Sequence, residues 1–180
     1  MTKVAIQGAK HSFHYIVSKK MLSTIDEYVF CNTFEEVFEA LDNGSVEYGI
    51  VATKNSAYGE IKEVSELRKQ YPAFKVCKDE TLRVELHLLG IEGACLEGVT
   101  DVYSQPPALV ASKAFLDSLG SVSIHDYHDT AAAAEFVASS KDKTKAAIAS
   151  VSVAQEFNLD ILKRNTETIE NYTDFILLQK

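Results

Sequence analysis

Small hydroxyl, amide and carboxylate residues recur in this chain where a short apolar run gives way to a helical one. Gly8-Ala9-Lys10-His11-Ser12-Phe13-His14 follows the run Lys3 to Gln7, and Asn55-Ser56, with Gly59 behind them, follow Tyr48 to Ala52. Ser104 follows Asp101 to Tyr103, Asp129-Thr130 precede four alanines, and Ser150 follows Ala146 to Ala149. Each alone is an ordinary helix N-cap, worth about 1 kcal/mol. Together they suggest more. Helix N-termini present free N–H groups and about half a unit of positive charge. In open α/β sheets they gather at the carboxyl ends of the strands, where ligands bind. The Ser12 turn, Asn55, Ser56, Ser104 and Thr130 are therefore candidates to hold a small anion such as a carboxylate, with little need of Lys or Arg.

The histidines carry a weaker signal. His11 and His14 are three apart, and His125 and His128 flank Tyr127. A spacing of three on a helix can bring two imidazoles to one metal, but no third ligand stands at metal spacing, so no metal is expected. His87 lies in an alternating run and is expected at the surface. No Gly-x-Gly-x-x-Gly, Walker or Gly-x-Ser-x-Gly pattern occurs, which weighs against nucleotide binding and serine hydrolysis.

The elements that must position these residues alternate. Strands are expected at Lys3 to Gln7, Glu27 to Cys31 and Tyr48 to Ala52, with helices from Ser12 to about Lys20 and from Phe34 to Asp42. The second helix puts Phe34, Val37, Phe38 and Leu41 on one face, after a cap at Asn32 or Thr33. A polar loop is expected over Thr53 to Gly59, then a helix to Gln70. Lys75 to Leu89 alternates with period two and reads as one or two long strands. Three strand-to-helix units follow, with helices from Pro106, Thr130 and Ser150 or Val151. Strands near Ile161 to Lys163 and over Phe175 to Leu178 close the chain. This order predicts an α/β fold: two α/β subdomains, residues 1–78 plus 166–180 and residues 79–165, with mainly parallel sheets and a cleft between them.

Composition narrows the function. At 46% hydrophobic the 180 residues can form a real core. No apolar run approaches the ~18 residues of a membrane helix, and the opening strand is too short for a signal peptide, so a cytoplasmic location is expected. A net charge of −8 argues against nucleic-acid binding. Cys31, Cys77 and Cys95 form no CxxC pair and read as reduced thiols in or near the core. Tyr103, Phe115 or Phe136 could serve a homodimer contact or the core.

The ordered motifs resemble one family, the prephenate dehydratases, over Val4 to Leu178. Val4 to Gly8 with Ser12-Phe13-His14 resembles the family's Gly-Pro-x-Gly-Thr-Phe-Ser opening. Tyr48-Gly49-Ile50-Val51 through Asn55-Ser56 and Gly59 resembles its Pro-x-Glu-Asn-Ser-x-x-Gly loop. Tyr103-Ser104-Gln105-Pro106 with Ala108-Leu109 resembles Ser-His-Pro-Gln-Ala-Leu, and Thr130-Ala131 resembles its Thr-Ala helix start. Ala146 to Ser150 matches well, and Asn171-Tyr172-Thr173-Asp174-Phe175 stands where the family has Asn-x-Thr-Arg-Phe.

The resemblance implies a periplasmic-binding-protein-like fold. It also implies decarboxylating dehydration of prephenate to phenylpyruvate, in phenylalanine biosynthesis, without metal or organic cofactor. It assigns Thr173 to protonate the leaving hydroxyl, and Ser12, Phe13, Asn55, Ser56, Ser104, Thr130, Ala131 and Phe175 to the dicarboxylate substrate. The chain departs from the pattern at His11, Ala52, Lys54, Gln105, Pro107 and Asp174. Lys54 and Asp174 stand where the family has Glu and Arg, and are expected to form the same ion pair with its signs exchanged. A prephenate decarboxylase that does not aromatise, and an inactive small-anion binder, are the alternatives these departures leave open. The sequence stops after the last motif, so no ACT-type regulatory domain is expected within it.

Overall fold

The computed structural model describes every residue except Ile169. The chain divides into two units, Met1–Arg83 with Tyr172–Lys180, and Val84–Asn171. Unit 1 opens with β1 (Lys3–Gln7), α1 (Phe13–Met21), β2 (Glu27–Cys31), α2 (Phe34–Asp42) and β3 (Tyr48–Asn55). It continues with β4 (Gly59–Glu60), α3 (Lys62–Gln70) and β5 (Lys75–Arg83), and regains the chain's last strand, β11 (Tyr172–Gln179). The strand order is β2-β1-β3-β11-β5, with β4 paired to β3. β2, β1 and β3 are parallel, whereas β11 runs antiparallel to both β3 and β5. Of the strands on this path, β2, β1, β3 and β5 thus run one way and β11 is reversed, because it enters from a distant part of the chain.

Alternation divides the core of unit 1 between the two faces of its sheet. Val4, Ile6, Ile50, Ala52, Leu82, Phe175 and Leu177 pack with Val17 and Met21 of α1. Ala5, Val51, Ile176 and Leu178 pack with Phe38 and Leu41 of α2 and with Val64 and Leu67 of α3. α2 begins with a reciprocal cap: Glu36 N–H donates to Thr33 Oγ1 (3.2 Å), and the Glu36 carboxylate accepts from Asn32 N–H (2.7 Å). Gly49 lets α2 approach β3, since a Cβ there would lie 3.1 Å from Val37 Cγ1.

Unit 2 comprises β6 (His87–Gly90), β7 (Asp101–Ser104), α4 (Pro106–Ala111), α5 (Lys113–Ser118) and β8 (Ser123–Asp126). After these come α6 (Thr130–Ser140), β9 (Lys145–Ala149), α7 (Val151–Phe157) and β10 (Asp160–Lys163). The strand order is β10-β6-β9-β7-β8, parallel across β9, β7 and β8 and antiparallel elsewhere. Small side chains on α6, Ala131, Ala133 and Ala134, pack with Val137 on Tyr103, Ala147 and Ala149. Tyr103 and Phe136 meet within this unit at a tilt, with ring centroids 4.9 Å apart.

Three expectations are corrected. His87 is buried, not superficial, because β6 is an internal strand, and its Nδ1 accepts from Asn165 N–H (3.2 Å). β3 runs on to Asn55 through residues expected as loop. Of the cysteines only Cys31 is buried; Cys77 and Cys95 are exposed. Among the described residues no helix is long and apolar enough to cross a membrane.

Phe38 is fully buried where α2 meets the sheet, stacks with Phe74 and meets Tyr71 at a tilt. Phe38→Ala is expected to destabilise the protein by about 3–5 kcal/mol in a denaturant titration; a loss below about 1 kcal/mol would contradict this packing.

Candidate functional site

The polar residues singled out by sequence fall into one group in each unit, at the carboxyl ends of the parallel strands. In unit 1 the group is organised by an irregularity in β3. Leu177, Ile176 and Phe175 pair with Ile50, Val51 and Ala52, but Asp174 and Thr173 pair with Lys54 and Asn55. Thr53 is therefore an extra residue, a β-bulge. Its own hydroxyl donates to the Asp174 carbonyl (3.2 Å). The bulge decides which side chains meet. Without it the ladder would set Thr173 opposite Lys54 and Asn55 opposite Tyr172.

With the bulge in place, Asn55 and Thr173 are direct cross-strand partners, both buried, and Asn55 Nδ2–H donates to Thr173 Oγ1 (2.8 Å). The amide cannot flip cheaply. Asn55 Oδ1 accepts from the backbone N–H groups of Ala57 and Tyr58, both at 2.9 Å. So Nδ2 must face Thr173, whose oxygen accepts and whose proton is left to donate. Ser56 fixes the same corner: Tyr172 N–H donates to Ser56 Oγ, and Ser56 N–H donates to the Tyr172 carbonyl, both at 2.8 Å.

Other predicted residues of this group have structural roles. Ser12 caps α1 by accepting from Tyr15 N–H (3.3 Å). Phe13 packs at the edge of the α1-side core and Phe175 lies within it. His14 is buried, and its Nε2 accepts from Ala52 N–H (3.2 Å), which places the proton on Nδ1. Its ring stands edge-on to Phe175 with centroids 5.0 Å apart. Burial pulls its pKa down from 6.5 to about 3, so the imidazole is neutral. Among the described residues no cluster of three or more His, Cys, Asp and Glu could hold a metal.

Lys54 and Asp174 are also direct cross-strand partners, but on the opposite face from Asn55 and Thr173. Glu60 pairs with Lys54 on its other side, so the register sets the cation between two carboxylates. The expected ion pair is not closed among the described residues. Asp174 Oδ1 instead accepts from Thr81 Oγ1 of β5 (2.7 Å).

In unit 2, Ser104 is fully buried at the end of β7, and its hydroxyl donates to the Ile148 carbonyl (2.7 Å). Thr130 opens α6 and is nearly buried, with Ala131 behind it in the core. Asp129 accepts from the N–H groups of both Ala131 and Ala132. The helix amides expected to bind an anion are therefore capped from within at α6, as the Tyr15 amide is at α1. Ser150 pairs with Ser152 (Oγ–Oγ 2.9 Å).

Two features of the site went unread in the sequence. The Thr53 bulge leaves no local mark. The inward position of His14 does leave one, because His14, Val17, Ser18 and Met21, the buried residues of α1, fall at i, i+3, i+4 and i+7.

Comparison with known proteins places this geometry. The family model described as prephenate dehydratase matches residues 4–180. A prephenate dehydratase of Methanocaldococcus jannaschii is 31% identical over 175 residues, covering 95% of this chain and 62% of that protein. A bifunctional N-acyl-homoserine lactone acylase/prephenate dehydratase of Komagataeibacter europaeus is 30% identical over 151 residues, covering 83% of this chain and 53% of that protein. The chain thus spans little more than half the length of these relatives. Among solved structures, the prephenate dehydratase of Arthrobacter aurescens in complex with L-Phe shares the fold at a TM-score of 0.88 and 16% identity, covering 99% of this chain and 60% of that one. A nutrient-binding protein from Burkholderia cenocepacia bound to methionine shares it at 0.53 and 14% identity, covering 99% and 85%, so the fold is also periplasmic-binding-protein-like.

The depressed His14 sets a pH dependence. Unfolding frees an imidazole of pKa near 6.5, whereas the folded one resists protonation down to about pH 3. Its contribution is complete above pH 6.5 and is lost as pH falls towards 3, by up to roughly 1.4 kcal/mol per pH unit. Wild type should therefore lose stability more steeply than His14→Gln between pH 6 and 4 in denaturant titrations; parallel curves would count against a neutral buried His14.

Proposed function

The chain belongs to the prephenate dehydratase family, and from that premise we propose that it converts prephenate to phenylpyruvate with Thr173 as proton donor. In this reaction the ring carboxylate leaves as carbon dioxide. Its electron pair enters the ring, and the ring hydroxyl departs with a proton as water. Aromatisation supplies the driving force, so the protein has to orient the substrate and deliver one proton, later replaced from solvent.

The observation that carries this reading is the Asn55–Thr173 hydrogen bond with its fixed amide orientation. An N–H aimed at Oγ steadies the negative charge that grows there as the proton leaves. The same contact disfavours the acylase activity named for the Komagataeibacter europaeus relative as a use of this threonine. Nucleophilic attack would need a base at Oγ, and among the described residues the side-chain partner there is a donor. Asn55 is thus read as acting through Thr173, with Ser12, Phe13, Ser56 and Phe175 as the substrate-holding candidates of unit 1 and Ser104, Thr130 and Ala131 as those of unit 2. Asp174, facing away from Thr173, is read as structural.

The test is the purified chain with prephenate at neutral pH, following phenylpyruvate and carbon dioxide together. Both products are expected. Carbon dioxide alone would replace this reading with decarboxylation. Neither product, with a prephenate-induced rise in melting temperature, would leave a binding protein. Thr173→Val should lower kcat by about a hundredfold or more while Thr173→Ser keeps a substantial part of it; a fully active Thr173→Val would remove the assignment. Asp174→Asn should change kcat by no more than about twofold, as expected for a surface contact on the other face.

A further inference from the structure

We propose that His14 is a positioning residue, whose acceptance of the Ala52 amide proton holds the β3 bulge in the register that sets Asn55 against Thr173. The pairing of β1 with β3 ends at Ile6 and Ile50. Between that point and Lys54, where β4 begins to pair, the β1 side of β3 has no partner strand, and Ala52 N–H finds its acceptor in the His14 ring at 3.2 Å. Ala52 is the last residue before the extra Thr53. On the other side of β3, Ala52 pairs with Phe175 and Thr53 Oγ1 donates to the Asp174 carbonyl. The bulge is thus held from both edges, by α1 through His14 and by β11 through Thr53.

The packing of the ring adds a second constraint. His14 touches Phe175 edge-on (5.0 Å) and Phe34 at a tilt (5.6 Å). Phe175 lies two residues beyond Thr173 on the same face of β11. One side chain therefore fixes both strands just below the point where Asn55 and Thr173 meet. The role requires a neutral ring with a bare Nε2, and the buried site provides it. It also separates His14 from the metal and acid–base roles that histidines more often carry, since Nε2 is occupied and the ring lies beneath the sheet.

The kinetic consequence rests on Thr173 being the proton donor; the structural consequence does not. The test compares His14→Leu, which keeps bulk and removes the acceptor, with His14→Gln, which retains one. In His14→Leu the Ala52 amide should exchange about tenfold faster or more, and the Asn55 side-chain amide resonances should move. With prephenate, its kcat should fall about ten- to a hundredfold with KM changed far less, as misplacement of a reacting group produces. His14→Gln should recover most of each loss. Unchanged Ala52 exchange and Asn55 resonances in His14→Leu overturn the proposal, and so does a His14→Gln variant as impaired as His14→Leu. If His14→Leu does not fold, His14→Gln decides: wild-type Asn55 resonances support the proposal and displaced ones overturn it. If wild type does not turn over prephenate, the proposed reaction fails, while the Ala52 and Asn55 measurements still decide the role of His14.

Discussion

A strand has period two, so one extra residue reverses the facing of everything beyond it. Thr53 is that residue in β3. Before it, Ala52 faces the α1 side; after it, Asn55 does, three positions on, where regular alternation would have turned it away. Lys54 is sent to the other face by the same step. Were the strand regular, a lysine would lie opposite Thr173 and the amide would face α2 and α3. The chemistry available at the end of β11 is therefore set by backbone pairing before any side chain is considered. The cost of the bulge is an interrupted ladder, and His14 and the Thr53 hydroxyl satisfy groups beside it.

How an acidic protein handles an anion depends on local donors more than on net charge. The helix N-termini at the strand ends would be natural donors, but at α1 and α6 their first amides are engaged by Ser12 and Asp129. That changes what those residues contribute. Asp129 puts a buried carboxylate at the N-terminus of α6, where the helix dipole favours it, and it orders the turn that presents Thr130. Ser104 likewise spends its hydroxyl on the Ile148 carbonyl, tying β7 to β9. Much of the polar character at these strand ends is structural, and the buried pair of Asn55 and Thr173 leaves a hydroxyl proton that, among the described residues, no side chain of the sheet takes up.

The legible parts of the sequence were those written locally. α2 could be placed to the residue because its apolar period and the capping residues Asn32 and Thr33 lie within a few positions of one another. The strand-to-helix order gave the α/β class and the return of the last strand. Thr53, Lys54 and Asn55 have the composition of a loop, but they form strand because β11, 118 residues away at the Asn55–Thr173 contact, supplies their partner. The burial of His87 is hidden for a related reason. Alternation reveals two faces, but not that β6 is flanked by β9 and β10. The reversal of β11 and of β6 is not written locally, because strand direction depends on how distant segments enter. His14 was legible in principle: the periodicity that identified α2, applied to α1, sets it beside Val17 and Met21.

Substitutions in a motif should be weighed by the face they occupy. Asp174 replaces the arginine of a Thr-Arg-Phe pattern, and beside a dicarboxylate it would be costly if its charge were buried there. On β11, however, Thr173 and Phe175 turn towards α1 while Asp174 turns towards the side where Ile176 and Leu178 pack. Its carboxylate meets Thr81, with Lys54 and then Glu60 next in register across the sheet. The departures at positions 54 and 174 therefore fall in one row, on one face, and alter one electrostatic environment together. The Asn55–Thr173 pair lies on the other face. A substitution on the Lys54–Asp174 face changes how the strands are held together, whereas one at Asn55 or Thr173 changes the buried hydrogen bond between them.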